Sequence, residues 1–358
     1  MNADIIAADI ANICAAHLPW QDLRGKTVLV TGGGGFLAAY LVGALCHANR
    51  MHQLGLRVVA TVRSPESNLA RLAGLSEKDG LSLFVQDASQ VLAADFPRAD
   101  FVIHSASHAS PKYYGVDPVG TLAPNTVGTF ALLRHAQNTG AERFMFFSSS
   151  EVYGAPIHAE QNLHETEFGT LDCLQVRSCY AESKRIAETM CAAWAQQHGL
   201  HTLVVRPFHT YGPGMALDDG RVFCDFVADI LAGRNIILKS DGLAQRAFCY
   251  CADATLGFLT VLLRGGKAEA YNIANPQEEY AIRDLAKLLT ELFPQKGLRV
   301  AFENKPASGA YLKSAVMRSR PCIKKIRALG WEPKTTVPDG FRRTIESFSS
   351  DNGGRAGV

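Results

Sequence analysis

The chain has 358 residues, of which 47% are hydrophobic and 20% charged, and its formal net charge is +2. That length supports a large core and two lobes, and the balance excludes a disordered chain. The near-neutral charge excludes the electrostatic footprint of a nucleic-acid binder, and no apolar run reaches the roughly 18 residues that a bilayer span needs.

Residues 1–18 carry Ile6, Ile10, Ile13 and Cys14 at helical spacing, with Asp4 and Asp9 between them and no basic start. They are expected to form an amphipathic helix packed on the domain rather than a signal peptide. Strands are expected over 27–31, 57–62, 81–86, 101–104, 143–148 and 202–207, and helices over 37–48, 121–138 and 180–198. Such alternation predicts an α/β fold, a Rossmann-type doubly wound parallel sheet with a smaller C-terminal substrate-binding α/β lobe.

Beyond Pro207 come loop signals at 212–214, 218–220 and 241–242. Apolar segments at 247–250 and 271–274 are expected to rejoin the edge of the first sheet, and helices over 282–293 and 338–348 to belong to the second lobe. The expected organisation is 1–206 with about 245–275 as the dinucleotide-binding domain, 207–244 with 276–348 as the smaller lobe, and 349–358 as a frayed Gly-rich tail. The nine cysteines read mostly as small buried hydrophobes. Cys249 and Cys251 have no second Cys/His pair beside them, so no metal site is expected and the compartment is read as cytoplasmic.

Lys26 to Tyr40 reads KTVLVTGGGGFLAAY, a short apolar strand, four glycines and a helix start. Glycines permit a tight turn and close backbone approach to a pyrophosphate, which the helix N-terminus beyond them attracts. Gly32, Gly34, Gly35, Phe36 and Leu37 are therefore assigned to a dinucleotide, with Ala38 as the small packing residue. The second strand, RVVATVR, ends without the Asp or Glu that grips an adenosine ribose hydroxyl. Arg63 and Ser64 stand there instead. Arg63 either accepts a 2′-phosphate, stacks on adenine or faces solvent, so loop chemistry leaves NADP open beside NAD. Asp87, with Ala88, is placed toward the adenine ring or else in a plain turn.

Tyr180 and Lys184 in YAESK lie four apart, on one helix face. A lysine beneath a tyrosine hydroxyl, with a nicotinamide cation nearby, is expected to lower the phenol pKa enough for it to act as a base. Ser149, in FFSSSEVYG at a strand end, would bond the same substrate oxygen.

Together TGGGGF, IHSAS, SSSEVYG, YAESK, RPFHTYGPG and QRAFCYCAD resemble the extended short-chain dehydrogenase/reductase family of sugar-nucleotide epimerases, dehydratases and decarboxylases. The resemblance runs from about Lys26 to the C-terminal helix. Within that family the chain looks most like the UDP-glucuronate decarboxylases (UDP-xylose synthases), above all over ASHASPKYYGVDPVGTLAPNTVGT.

The resemblance implies a nucleotide-sugar substrate and a bound NAD, since redox-neutral relatives retain it through turnover. It places Ser105, Ala106, Ser107 and Pro207 with Tyr180 and Lys184 at the cofactor, and His104 beneath it. It places Tyr114, Asn125, Glu151, His209, Arg221 and Arg246 on the substrate side. Arg246 faces either a sugar carboxylate or the pyrophosphate, Tyr114 is otherwise a core aromatic, and Glu151 is otherwise a loop-start carboxylate paired with a nearby arginine. His209 departs from the Asn that relatives carry, and Lys112 from an apolar residue. The resemblance also implies a homodimer through a four-helix bundle formed by the helices over 121–138 and 180–198, with Ile186, Met190 and Trp194 on the outward face of the second.

Relatives begin by oxidising sugar C4, and the residues after the catalytic serine direct the next step. Dehydratases place Asp-Glu there, and simple epimerases usually no acid. Ser150 and Glu151 match the decarboxylases. The expectation is thus decarboxylation of an NDP-hexuronic acid, with 4-epimerisation, 4,6-dehydration or an inactive dinucleotide-binding scaffold as the alternatives.

Overall fold

The computed structural model describes residues 2–64, 69–155, 162–303 and 317–349. Runs rich in Val, Leu, Ile and Phe form the main sheet from β1 (Thr27–Thr31), β2 (Arg57–Val62), β3 (Leu81–Val85), β4 (Phe101–His104), β5 (Arg143–Phe147) and β6 (His201–Pro207). A second group comprises β7 (His209–Tyr211), β8 (Ile236–Leu238), β9 (Gln245–Tyr250), β10 (Glu269–Ile273), β11 (Glu279–Ala281), β12 (Val300–Phe302) and β13 (Arg318–Ser319). The main sheet runs β10-β6-β5-β4-β1-β2-β3, and every neighbouring pair is parallel. All five residues of β1 are buried, as a strand between two helical layers must be.

Helices α1 (Ala3–Cys14) and α2 (Phe36–His52) cover one face. The other is covered by α4 (Thr129–Thr139) and α5 (Cys179–His198), the former following α3 (Pro118–Ala123). The single helix expected over 121–138 is instead three pieces, with a π turn at Pro124–Gly128 between α3 and α4. Pro124 cannot donate into the ladder, and the extra residue per turn relieves its ring. The expected N-terminal helix is present. Asn2 caps it, Ile13 and Cys14 are buried, and Asp9 accepts hydrogen bonds from Tyr40, Tyr250 and Arg343.

One expectation about the sheet fails. Residues 271–274 rejoin it through β10, but 247–250 do not, because β10 already occupies the outer edge of β6. Instead β9 is the centre of a second sheet and pairs with β7, β11 and β13, while β8 pairs with β12.

The helix that follows β9, α7 (Cys251–Arg264), returns to the first core. The second core joins Phe248 to Phe223, Val227 and Ile230 of α6 (Val222–Leu231). It also takes residues from α8 (Ile282–Glu291) and α10 (Val337–Phe348). The span expected for the small lobe is not wholly there either. Ile326 of α9 (Lys324–Arg327) and Trp331 pack into the first core, and the Trp331 indole donates to the Asp253 carbonyl at 2.9 Å.

Seven cysteines are buried, Cys179 is half-buried and Cys173 exposed. Among the described residues no helix is long and apolar enough to cross a membrane.

Candidate active site

Where β1, β2, β4, β5 and β6 end, a cavity of about 640 Å³ opens toward the second core. Ligands of open parallel sheets bind outside the carboxyl ends of the strands, so this is the expected place. Every residue assigned to the cofactor from the sequence lines it.

The glycine loop has no room for side chains. Gly32 sits at φ +67°, and a Cβ there would stand 2.8 Å from the Cα of Ala106; one at Gly33 would stand 2.6 Å from the Cβ of Ala60. Gly35 begins α2 without a side-chain cap, which leaves the first-turn N–H groups for a ligand. This backbone cradle fits a dinucleotide pyrophosphate. At the end of β4 the Ser105 hydroxyl donates to the Thr31 carbonyl at 2.5 Å, and the buried Ser107 Oγ has no partner among the described residues.

Sequence reasoning missed Arg71, which ties the loop to the second core. Its Nε donates to the Gly214 carbonyl at 2.7 Å and its Nη1 to the Gly34 carbonyl at 3.0 Å. A lone arginine beyond a strand carries no pattern that would announce this.

On the catalytic side, α5 carries Tyr180 and Lys184 one turn apart. Lys184 Nζ donates to the Phe147 carbonyl at 2.6 Å and lies 5.5 Å from the centre of the Tyr180 ring. Ser149 lies two residues beyond β5, caps the short helical turn Ser150–Tyr153, and hydrogen-bonds the Tyr180 phenol. The expected pKa depression is not built into the protein alone. Burial pushes Tyr180 up to about 12, with Arg221 and Ser149 pulling the other way. The same burial pushes Lys184 down to about 7, against the pull of Glu188. Desolvation outweighs the local charges on both groups.

His104 lies beneath them. Its Nε2 donates to the Pro124 carbonyl at 3.0 Å, so its Nδ1 accepts from Thr31 at 2.8 Å. Burial, and then Lys184, push it down to about 3, which makes it a neutral floor.

Ser150, Glu151, Tyr114, His209 and Arg221 also line the cavity. The Glu151 carboxylate lies 3.6 Å from Arg177. Tyr114 stacks on Tyr180 at 5.1 Å between ring centres and donates to the Ala109 carbonyl. Arg221 donates to that same carbonyl at 2.8 Å and pairs with Asp219. His209 has a buried Nδ1 without a protein partner among the described residues, and burial, with Arg246 and Arg221, holds it well below its ordinary value. Lys112 pairs with Asp218 at 2.8 Å.

Two of the residues expected on the substrate side are not among those that line the cavity. Asn125 sits in the π turn behind the wall, donating to Thr121 and Ser183. Arg246 is not on the wall, and its Nη1 donates to the Gln245 carbonyl at 2.8 Å.

Also unannounced in the sequence is a buried polar network behind Ser149. Arg206 donates to both carboxylate oxygens of Glu188, at 2.9 and 2.6 Å, and to the Tyr153 hydroxyl at 3.0 Å. Ser148 donates to Glu188 at 2.5 Å. Burial opposes the Arg206 charge, but Glu188 holds it above its ordinary value.

Residues 28–274 match the NAD dependent epimerase/dehydratase family. The chain belongs to that family. It is 34% identical over 322 residues to UDP-glucuronic acid decarboxylase 6 of Arabidopsis thaliana, covering 90% of this chain and 88% of the relative. UDP-glucuronic acid decarboxylase 1 of Xenopus tropicalis is 33% identical over 328 residues, covering 91% and 73% respectively. Among solved structures, the UDP-glucose 4-epimerase of Thermotoga maritima with UDP-glucose superposes with a TM-score of 0.73 at 24% identity, over 90% of this chain and 98% of that one. This last likeness shows the epimerase/dehydratase fold, including the parallel sheet that carries the cavity. The family is NAD dependent, in keeping with the glycine cradle.

Proposed function

We propose that this chain is an NDP-hexuronic acid decarboxylase that acts on a substrate such as UDP-glucuronate through a 4-keto intermediate. The observation that carries the reading is Ser149-Ser150-Glu151 on the cavity wall beside Tyr180, with no aspartate ahead of the glutamate. The two decarboxylase relatives, matched over nine-tenths of the chain, support it.

When bound in the cradle of Gly32, Gly34 and Gly35, NAD would supply a reversible acceptor for the C4 hydride and a positive charge in the site. The Tyr180 oxygen takes the proton of the sugar 4-hydroxyl while Ser149 holds that oxygen. Oxidation at C4 makes the C5 carboxylate a β-keto acid. The C5–C6 bond then breaks, carbon dioxide leaves, and its electron pair forms an enolate through C4 and C5. A proton returns to C5, and Ser150 and Glu151 stand where they hold the sugar or pass that proton. Tyr180 gives its proton back to the C4 oxygen. Arg221, with neutral His209 beside it, meets the nucleotide end. Carboxyl-labelled UDP-glucuronate should release labelled carbon dioxide. Retention of the label with an altered sugar would replace this reading by epimerisation, and loss of water by dehydration.

The working unit in this reading is a cytoplasmic homodimer. Val127, Phe130 and Ile186 are exposed on the outer face of the π turn, α4 and α5, with Trp194 edge-on to Phe130 at 5.1 Å. Two adjacent helices with such a face pair with their own copy around a twofold axis into four helices. Light scattering should give twice the 38.7 kDa chain mass. The double variant Phe130→Glu/Ile186→Glu should give the single chain, and a monomeric wild type at micromolar concentration would refute the interface.

A further inference from the structure

We propose that the buried Glu188–Arg206 ion pair positions the catalytic turn against Lys184, gripping that turn at both ends through Ser148 and Tyr153. The inference rests on Ser149, Tyr180 and Lys184 as the catalytic set, and not on decarboxylation.

Ser149, Ser150 and Glu151 lie between the end of β5 and the end of the turn Ser150–Tyr153. A segment this short keeps its side chains in place only if its ends are fixed, and catalytic geometry tolerates errors of only about 0.5 Å. At the first end, three consecutive residues meet α5. The Phe147 carbonyl accepts from Lys184 Nζ at 2.6 Å, the Ser148 hydroxyl donates to Glu188 Oε1 at 2.5 Å, and Ser149 hydrogen-bonds Tyr180. At the other end, the Tyr153 hydroxyl accepts from Arg206 Nη1 at 3.0 Å and donates to Asn272 Oδ1 at 2.6 Å.

Glu188 and Arg206 join the two grips through bonds of 2.9 and 2.6 Å. Their side chains are 13% and 2% exposed, so little water competes for those bonds. Neither residue lines the cavity, whereas Ser148 does. The pair therefore works through the residues it holds and not on a substrate.

The same carboxylate acts on Lys184 by charge. The two residues stand one turn apart on α5. Around the ammonium are His104 of β4, kept neutral, Tyr180 of α5, and Glu188, which opposes the loss of the Lys184 proton that burial favours.

Three variants separate the grips from the charge. Ser148→Ala and Tyr153→Phe each cut one grip and keep the ion pair. Each should lower kcat on UDP-glucuronate about ten- to a hundredfold with KM within about threefold, in a chain whose circular dichroism matches the wild type. Glu188→Gln keeps the shape and removes the charge. NMR of lysine-labelled protein free of dinucleotide, with the Lys184 signal assigned by its loss in Lys184→Met, reads the result. Lys184 should bind its proton at least about threefold more weakly than in the wild type. If that variant does not fold, Glu188→Met/Arg206→Met takes its place with the same expectation. Wild-type kcat in both single-grip variants, or an unchanged Lys184 titration, would overturn the proposal. A wild type inert to UDP-glucuronate would sink the decarboxylase reading instead, and the Lys184 titration would still decide this one.

Discussion

Tyr180→Phe should lower turnover by about a thousandfold or more while leaving fold and dinucleotide affinity unchanged. The phenol is the group placed to take the C4 hydroxyl proton, and general acid–base catalysis is worth about 10²–10⁴-fold. The ring itself is retained, and with it the stack on Tyr114 and the packing over Lys184. Fold should therefore survive. The ligand-free pKa of about 12 sharpens the expectation. At neutral pH the unliganded phenol keeps its proton, so base strength is acquired only with the charges of a filled site. Steady-state kinetics and dinucleotide titration on the same preparation separate the outcomes. A variant retaining a tenth or more of wild-type turnover would remove Tyr180 from the chemistry.

The largest expected effect on stability lies behind the site. Arg206→Ala should destabilise the fold by about 3–5 kcal/mol, the cost of leaving a buried charge without its partner. Arg206 is 2% exposed, and its removal strips Glu188 of two hydrogen bonds and Tyr153 of one. Glu188 would keep the Ser148 hydroxyl as a donor to its carboxylate, in a site shaped for a cation. The double variant Arg206→Met/Glu188→Met should recover much of the loss, because burying neither charge costs less than burying one alone. Urea denaturation midpoints measure both. A loss below about 1 kcal/mol for Arg206→Ala would mean that the pair is solvated and unimportant.

The first half of the chain was legible because its physics is local. β1, β2 and β4 fall where apolar runs end in glycine or polar residues, and the Tyr180–Lys184 pair needs only a helix to share a face. Pairing partners were not legible. The apolar run Ala247–Tyr250 looks like a sheet strand, and nothing within it says that β10 holds the sheet edge and β9 centres another sheet. The break at Pro124 was written in the sequence, but not that a π turn would take it up and carry Asn125 off the wall. The Arg206–Glu188 pair joins positions 18 apart on β6 and α5, and only the packed fold brings them within 2.6 Å. Likewise the pKa of Tyr180 comes from burial, which a motif does not state.

Product analysis in deuterated water tests the central claim most directly. Incubation with UDP-glucuronate should yield a nucleotide sugar lighter by carbon dioxide and carrying one solvent deuteron at C5, where the enolate is protonated, with none at C4. A product of unchanged mass, or one lighter by water with the carboxylate intact, would contradict decarboxylation at this site.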